Sequence, residues 1–149
     1  MLCIESNMSN NKEFIKKEVY LNEYTMHKHI QSLGIVNLPK IISYDLHNRI
    51  LIMEKIPSDC ISNIYGENDN DIDIEMYEKI RKIIKRLYDN EIEYPDITGY
   101  NFIEYQNKIW IIDFEHAKFC DHSQNKSIES GGFIEKFMNG HNGWNPEFR

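Results

Sequence analysis

Asp96 and Asn101 stand five residues apart in the segment Asp96-Ile97-Thr98-Gly99-Tyr100-Asn101. Twelve residues further on, Asp113 closes the apolar run Ile109-Trp110-Ile111-Ile112. Two carboxylates and an amide oxygen are hard ligands of the kind that suits Mg²⁺. An acid can also orient an attacking hydroxyl. Phosphoryl transfer asks little more of a protein than that orientation and the neutralisation of phosphate charge. The competing reading of the same residues is structural, because Asp and Asn favour loops and Thr98-Gly99 is turn chemistry. An acid at a strand end can likewise be a simple cap. Glu115 and His116, next to Asp113, read as a surface pair.

These residues need elements to hold them. A two-residue turn at Gln106-Asn107 joins strands expected over 101–105 and 108–113, and this hairpin brings the two acids and the amide to one end. Before the loop, Met76, Tyr77, Ile80, Ile83, Ile84, Leu87 and Tyr88 recur at helical spacing, with Asp71 or Asp73 as cap, and Pro95 prevents continuation. Upstream, two Ile-rich strands over 40–44 and 49–56 flank the turn Asp45-Leu46-His47-Asn48, and Pro57 ends the second. A first helix is expected over 11–33, with Asn10 and Glu13 as capping box and Gly34 as left-handed stop. Its apolar stripe is Ile15, Val19, Met26, Ile30 and Leu33, and Glu23 falls on it, either at the margin or facing a site. The polar stretch 66–73 reads as an exposed loop, 128–138 as a final helix, and Trp144 and Phe148 as pins that hold the Gly- and Asn-rich tail.

The bulk composition narrows the classes. A chain of 149 residues with 41% hydrophobic residues fits one α+β domain over 1–149. The net charge of −7 argues against a general nucleic-acid partner, which needs a positive surface. No apolar run approaches the ~20 residues of a membrane span, and the N-terminus does not read as a signal peptide, so a cytoplasmic location is expected. Cys3, Cys60 and Cys120 lack metal-ligand spacing and read as free thiols rather than as a zinc site with His116 or His122.

The ordered set of Asp96-x-x-x-x-Asn101, a strand, and Asp113-Phe114-Glu115 resembles the catalytic loop and metal-binding motif of the protein-kinase-like superfamily. Glu in the third place looks more like the aminoglycoside and choline kinase branch. The resemblance spans roughly residues 12 to 120. It implies a minimal kinase-like fold, with 12–56 as the small-lobe part and 57–149 as a reduced large lobe. It also implies Mg and ATP, with Asp96 as base or hydroxyl-orienting acid and Asn101 and Asp113 as metal ligands. Glu23 would hold a phosphate-binding lysine, and Met53, Glu54, Lys55 and Ile56 would line the adenine pocket. The acceptor would be a hydroxyl of a protein or small molecule.

The pattern is incomplete. No glycine precedes Gly34, so the small lobe is expected to lack the strands of a glycine-rich loop, although a strand over 2–5 is possible. The lysine for Glu23 is unassigned among Lys12, Lys16 and Lys17. The motif reads Tyr94-Pro95-Asp96, without the usual histidine, and thirty-six residues follow Asp113. An impaired pseudokinase acting as a binding module is therefore the alternative to an enzyme.

Overall fold

The computed structural model describes residues 2–5, 13–121 and 132–148. A four-stranded antiparallel sheet contains β1 (Leu2–Glu5), β2 (Phe14–Glu18), β3 (Ile41–Asp45) and β4 (Ile50–Glu54), in the order β1-β2-β4-β3. The expected helix over 11–33 is therefore corrected. Its first part is strand β2, and helix α1 covers only Leu21–Leu33, with Tyr20 as N-cap. Asn10 lies outside the described residues, and the Glu13 carboxylate meets Lys55 Nζ at 3.0 Å rather than capping a helix. Tertiary pairing decides the matter, because β2 runs antiparallel to β4 with Phe14 opposite Glu54 and Glu18 opposite Ile50. A short mixed run has no strong period of its own, so the partner strand sets its state. The expectation of a small lobe without strands ahead of the helix is corrected by the same finding, since β1 and β2 pair there.

The helix stop at Gly34 is as expected, with φ 64° in the left-handed region that glycine enters freely. Strands β3 and β4 form the expected hairpin. Past Pro57, the short helix α2 (Ile61–Tyr65), unforeseen in the sequence, leads to a 3-10 turn at Asp69–Asp71. The polar stretch is thus mostly exposed yet ordered. Asp69 accepts from the Trp144 backbone N–H at 3.1 Å, which ties it to the tail.

Helix α3 (Ile74–Asp89) starts at Asp73, whose side chain accepts from Met76 N–H at 2.8 Å. It buries the expected stripe from Met76 to Leu87. β5 (Ile92–Glu93) follows, then the hairpin of β6 (Phe102–Tyr105) and β7 (Lys108–Ile111). Gln106 and Asn107, at φ 53° and 59°, supply the two positive-φ positions of a two-residue turn. β8 (Lys118–Phe119) pairs back onto β5. The last helix, α4 (Phe133–Met138), begins later than expected, and residues 128–131 of the expected span lie outside the described residues.

The main core runs through α1, α3, α4, the β6–β7 hairpin and Trp144. Beneath the sheet a separate small cluster joins Val19, Leu51 and Met53. Arg81, buried on α3, donates to Phe137 O at 2.5 Å, His141 O at 3.0 Å and Asn142 Oδ1 at 2.6 Å, so the tail is bound to the core. No described helix is long and apolar enough to cross a membrane.

Candidate active site

The loop from Tyr94 to Asn101 lies between α3 and β6, and from Tyr94 to Gly99 every residue is buried. A buried loop must satisfy its own backbone groups. Here Ile97 N–H donates to Pro95 O at 2.8 Å and Thr98 N–H to Asp96 O at 3.0 Å. The tail supplies the rest. Asn145, fully buried, donates from Nδ2 to Pro95 O at 2.7 Å and from its backbone N–H to Ile97 O at 2.8 Å. The two carbonyls that flank Asp96 are thus held from behind. Gly99 marks a close approach, because a Cβ there would lie 2.1 Å from Ser62 Oγ and 3.0 Å from Trp144, so those side chains would have to shift.

Asn101 donates from Nδ2 to Asp96 O at 2.9 Å. That bond turns the amide so that its oxygen is left for a ligand. Asn101 O accepts from Ile112 N–H at 3.0 Å, which sets the loop beside the strand end that carries Asp113. Asp113 has φ 65°, a left-handed conformation costly for most side chains and tolerated by Asp. Tyr94 holds this turn. Its hydroxyl lies 2.6 Å from Ile112 O and 2.7 Å from Asp113 O, so one proton serves both carbonyls. Burial, followed by the nearby Asp113 and Asp96 charges, pushes the Tyr94 phenol well above its usual range and keeps it a donor. Phe114 packs between Tyr94 and His27, with ring centroids 6.0 and 4.8 Å away.

Across the cleft, the lysine left open by the sequence is Lys17. Its Nζ lies 2.8 Å from Glu23 Oε2 and 3.6 Å from Asp113 Oδ1. Burial alone would pull the ammonium down, but the Asp113 and Glu23 carboxylates outweigh it and hold Lys17 above its ordinary value. Burial raises the Glu23 carboxyl, with Lys17 acting against that rise. Once 14–18 is known to be a strand, period two separates Lys17 from Lys16. Ile15, Lys17 and Val19 alternate onto one face, and Ile15 and Val19 join the small cluster under the sheet.

Asp96 is nearly covered, and its Oδ2 lies 3.1 Å from His116 Nδ1. Burial raises its carboxyl first, the His116 bond opposes that, and the Asp113 charge adds to it. His116 is therefore no detached surface residue, as its pairing with Glu115 suggested, but a neighbour of Asp96. Sequence spacing carried no signal for this contact, nor for Asn145.

A cavity of about 380 Å³ joins the two walls. Ile15, Lys17, Met53, Lys55, Ile56, Asn101 and Asp113 are among the residues that line it, a size and mixture suited to a small-molecule ligand. Of the four residues expected at an adenine pocket, Glu54 is not in the lining. Its carboxylate accepts from Lys40 N–H at 2.9 Å. Cys60 also lines the cavity, and Cys60 and Cys120 are free thiols.

The donor set fits a hard divalent cation, with the Asn101 amide nitrogen taken up by Asp96 O and both the Asn101 and Asp113 side chains of the oxygen-donor type at the cavity. A second set of oxygens, from Glu23, Asp113 and Glu115, lies within 4.8 Å of one another, but two of these groups already face the Lys17 ammonium.

The RIO domain family model matches residues 4–129. The chain belongs to the RIO domain family. The aminoglycoside and choline kinase branch suggested by Glu115 is not what this match names; within the protein-kinase-like superfamily the RIO type is nearer. Among curated relatives, 3-deoxy-D-manno-octulosonic acid kinase of Vibrio cholerae is 30% identical over 62% of this chain and 42% of its own. The EKC/KEOPS complex subunit BUD32 of Enterocytozoon bieneusi is 27% identical over 89% of this chain and 66% of its own. The chain therefore spans from under half to just under two thirds of the length of these two relatives. A solved structure, that of the Cydia pomonella granulovirus kinase PK-1, superposes with a TM-score of 0.59 at 15% identity, covering 79% of this chain and 48% of that one. That likeness shows the fold, a minimal protein-kinase-like one.

Proposed function

We propose that this RIO domain chain is an ATP-dependent phosphotransferase that moves the γ-phosphate to a hydroxyl of a protein or small molecule. The observation that carries the reading is Lys17, bridged between Glu23 on α1 and Asp113 on the loop side of the cleft. A lysine fixed between two acids at a cavity wall is a preorganised cation for phosphate oxygens. Met53, Lys55 and Ile56 would line the base-binding end, with Glu54 contributing at most through its backbone. Asn101 and Asp113 would hold Mg²⁺, whose chemistry is to neutralise charge on the phosphates. Asp96, at the other end of the Asn101 bond, would orient the acceptor hydroxyl and receive its proton. We assign 12–56 and 57–149 to the two walls of one site.

A second reading, a pseudokinase that acts as a binding module, draws on one observation: the β1–β2 connection contains no glycine. Two relatives carry names of KEOPS complex subunits, so a protein partner completing the site is compatible with either reading.

The test is the melting temperature of the chain titrated with Mg·ATP, with Asp113→Asn as control. Asn tolerates the positive φ at that position, so the control removes charge without breaking the turn. A ligand bound only by the folded state stabilises by about 2.7 kcal/mol at a hundredfold excess over Kd. A magnesium-dependent rise that the variant loses is the expected outcome. An unchanged melting temperature at millimolar nucleotide would overturn the enzyme reading for the unaided chain.

A further inference from the structure

We propose that His116 is a positioning residue for Asp96, holding one carboxylate oxygen so that the other faces the acceptor hydroxyl. The inference rests on the phosphotransferase reading above, in which Asp96 serves that hydroxyl.

An aspartate carboxylate turns about a soft, roughly two-fold torsion, so burial of the residue does not by itself aim its oxygens. The Asp96 backbone is fixed, through its own carbonyl by Asn101 and through its neighbours' carbonyls by Asn145. The carboxylate has its own anchor in the imidazole of His116, 3.1 Å from Oδ2, with the Asn101 side chain as a weaker second neighbour. An ionised carboxylate only accepts, so Nδ1 is the donor in this pair. His116 is three residues after Asp113 and stands at the end of the same turn. Its bond therefore ties the acid at Asp96 to the segment that presents the proposed metal ligand.

The ring has a support of its own. Phe148 packs against it at 5.0 Å with an interplanar angle of 54°. Phe148 belongs to the 3-10 turn that starts after Asn145, and its N–H donates to Asn145 O at 3.1 Å. One short tail segment thus clamps the Asp96 backbone with Asn145 and steadies the residue that aims its carboxylate with Phe148. The His116 side chain is 45% exposed, so replacing it leaves the core intact.

The experiment compares His116→Ala and His116→Asn in the full chain. It measures Mg·ATP affinity by titration and turnover as phosphate released from ATP, with water standing in for the acceptor hydroxyl. The Asn amide can take the place of Nδ1 as donor to Asp96. His116→Ala is expected to lower kcat on the order of tenfold to a hundredfold, the scale of a misplaced reacting group. Mg·ATP affinity stays as in the wild type. His116→Asn recovers most of the rate, and Phe148→Ala shows a smaller loss confined to kcat. The proposal is overturned by an alanine variant as fast as the wild type, by an asparagine variant as slow as alanine, or by a loss of affinity that matches the loss of rate. A wild type that binds Mg·ATP and releases no phosphate overturns it as well. A wild type that does not bind Mg·ATP removes the phosphotransferase reading itself, which separates the two failures.

Discussion

The sheet-side wall of the cleft rests on a buried cluster of Val19, Leu51 and Met53, whereas the loop-side wall is seated on a core that extends from Met26 to Trp144. The first wall brings the charged arm of Lys17 up to Asp113, and Lys55 also lines the cavity from that side. The second presents Asp96, Asn101 and Asp113 from a backbone tied down by Tyr94, Asn145 and Ile112. The loop side thus derives its geometry from packing and hydrogen bonds. The sheet side derives its own from an ion pair between a strand and a helix that the small cluster holds together. His27 and Phe114 form the seam, where α1 meets the Asp113 turn.

The largest effect should come from removing the arm. Lys17→Met takes the cation from between Glu23 and Asp113, and kcat/KM is expected to fall on the order of 10²- to 10³-fold. Steady-state kinetics check this, and an unchanged value would mean that Lys17 contributes no charge to the reaction.

The seam should answer to acid. Burial, with the Pro39 carbonyl opposing, lowers the His27 imidazole to about 4, so the native state keeps it neutral. The unfolded imidazole takes its proton near pH 6.5, so between about 6.5 and 4 the unfolded state binds more protons. The His27 contribution to stability is therefore full above about pH 6.5 and falls as the pH drops toward 4, by on the order of 3 kcal/mol. Denaturant melts across that range should show the slope in the wild type and lose it in His27→Leu. A slope that persists would place the acid sensitivity elsewhere.

On the loop side, Tyr94→Phe deletes one hydroxyl and leaves two half-buried carbonyls, those of Ile112 and Asp113, without that donor. A destabilisation of about 1–3 kcal/mol is expected, with loss of the Asp113 conformation and hence of magnesium-dependent nucleotide binding. Equal stability and binding in the variant would show that the Asp113 turn holds without Tyr94. The smallest effect belongs to the β6–β7 turn. Asn107→Gly relieves a positive-φ side chain at a residue cost of chain entropy, for a net gain on the order of 0.5 kcal/mol in a thermal melt. A loss would mean that the Asn107 side chain itself supports the turn.

The same contrast accounts for what could be read in advance. The α3 stripe, its cap at Asp71 or Asp73, the Gln106-Asn107 turn and the Asp96, Asn101 and Asp113 set are local patterns, and each has a period or a turn chemistry that survives without neighbours. The sheet side lacked such signals. Residues 11–20 carry apolar positions compatible with a helix as far as Val19, and only the pairing with β1 and the register against β4 make 14–18 a strand. Lys17 could not be selected over Lys16 or Lys12 until that register turned it toward Glu23.

The amino-acid sequence by itself determined the kinds of chemistry available here, because side-chain type and short-range spacing are properties of the chain. It also determined the local elements whose hydrogen bonds close within a few residues. Tertiary structure alone decided which lysine meets Glu23, that Tyr94 braces Asp113, and that His116 and the tail residues Asn145 and Phe148 gather at Asp96. Those contacts join residues from six to fifty apart in the chain, among them Lys17 with Glu23 and Asn145 with Pro95. Contacts of that kind are selected by packing and burial, which no local pattern encodes.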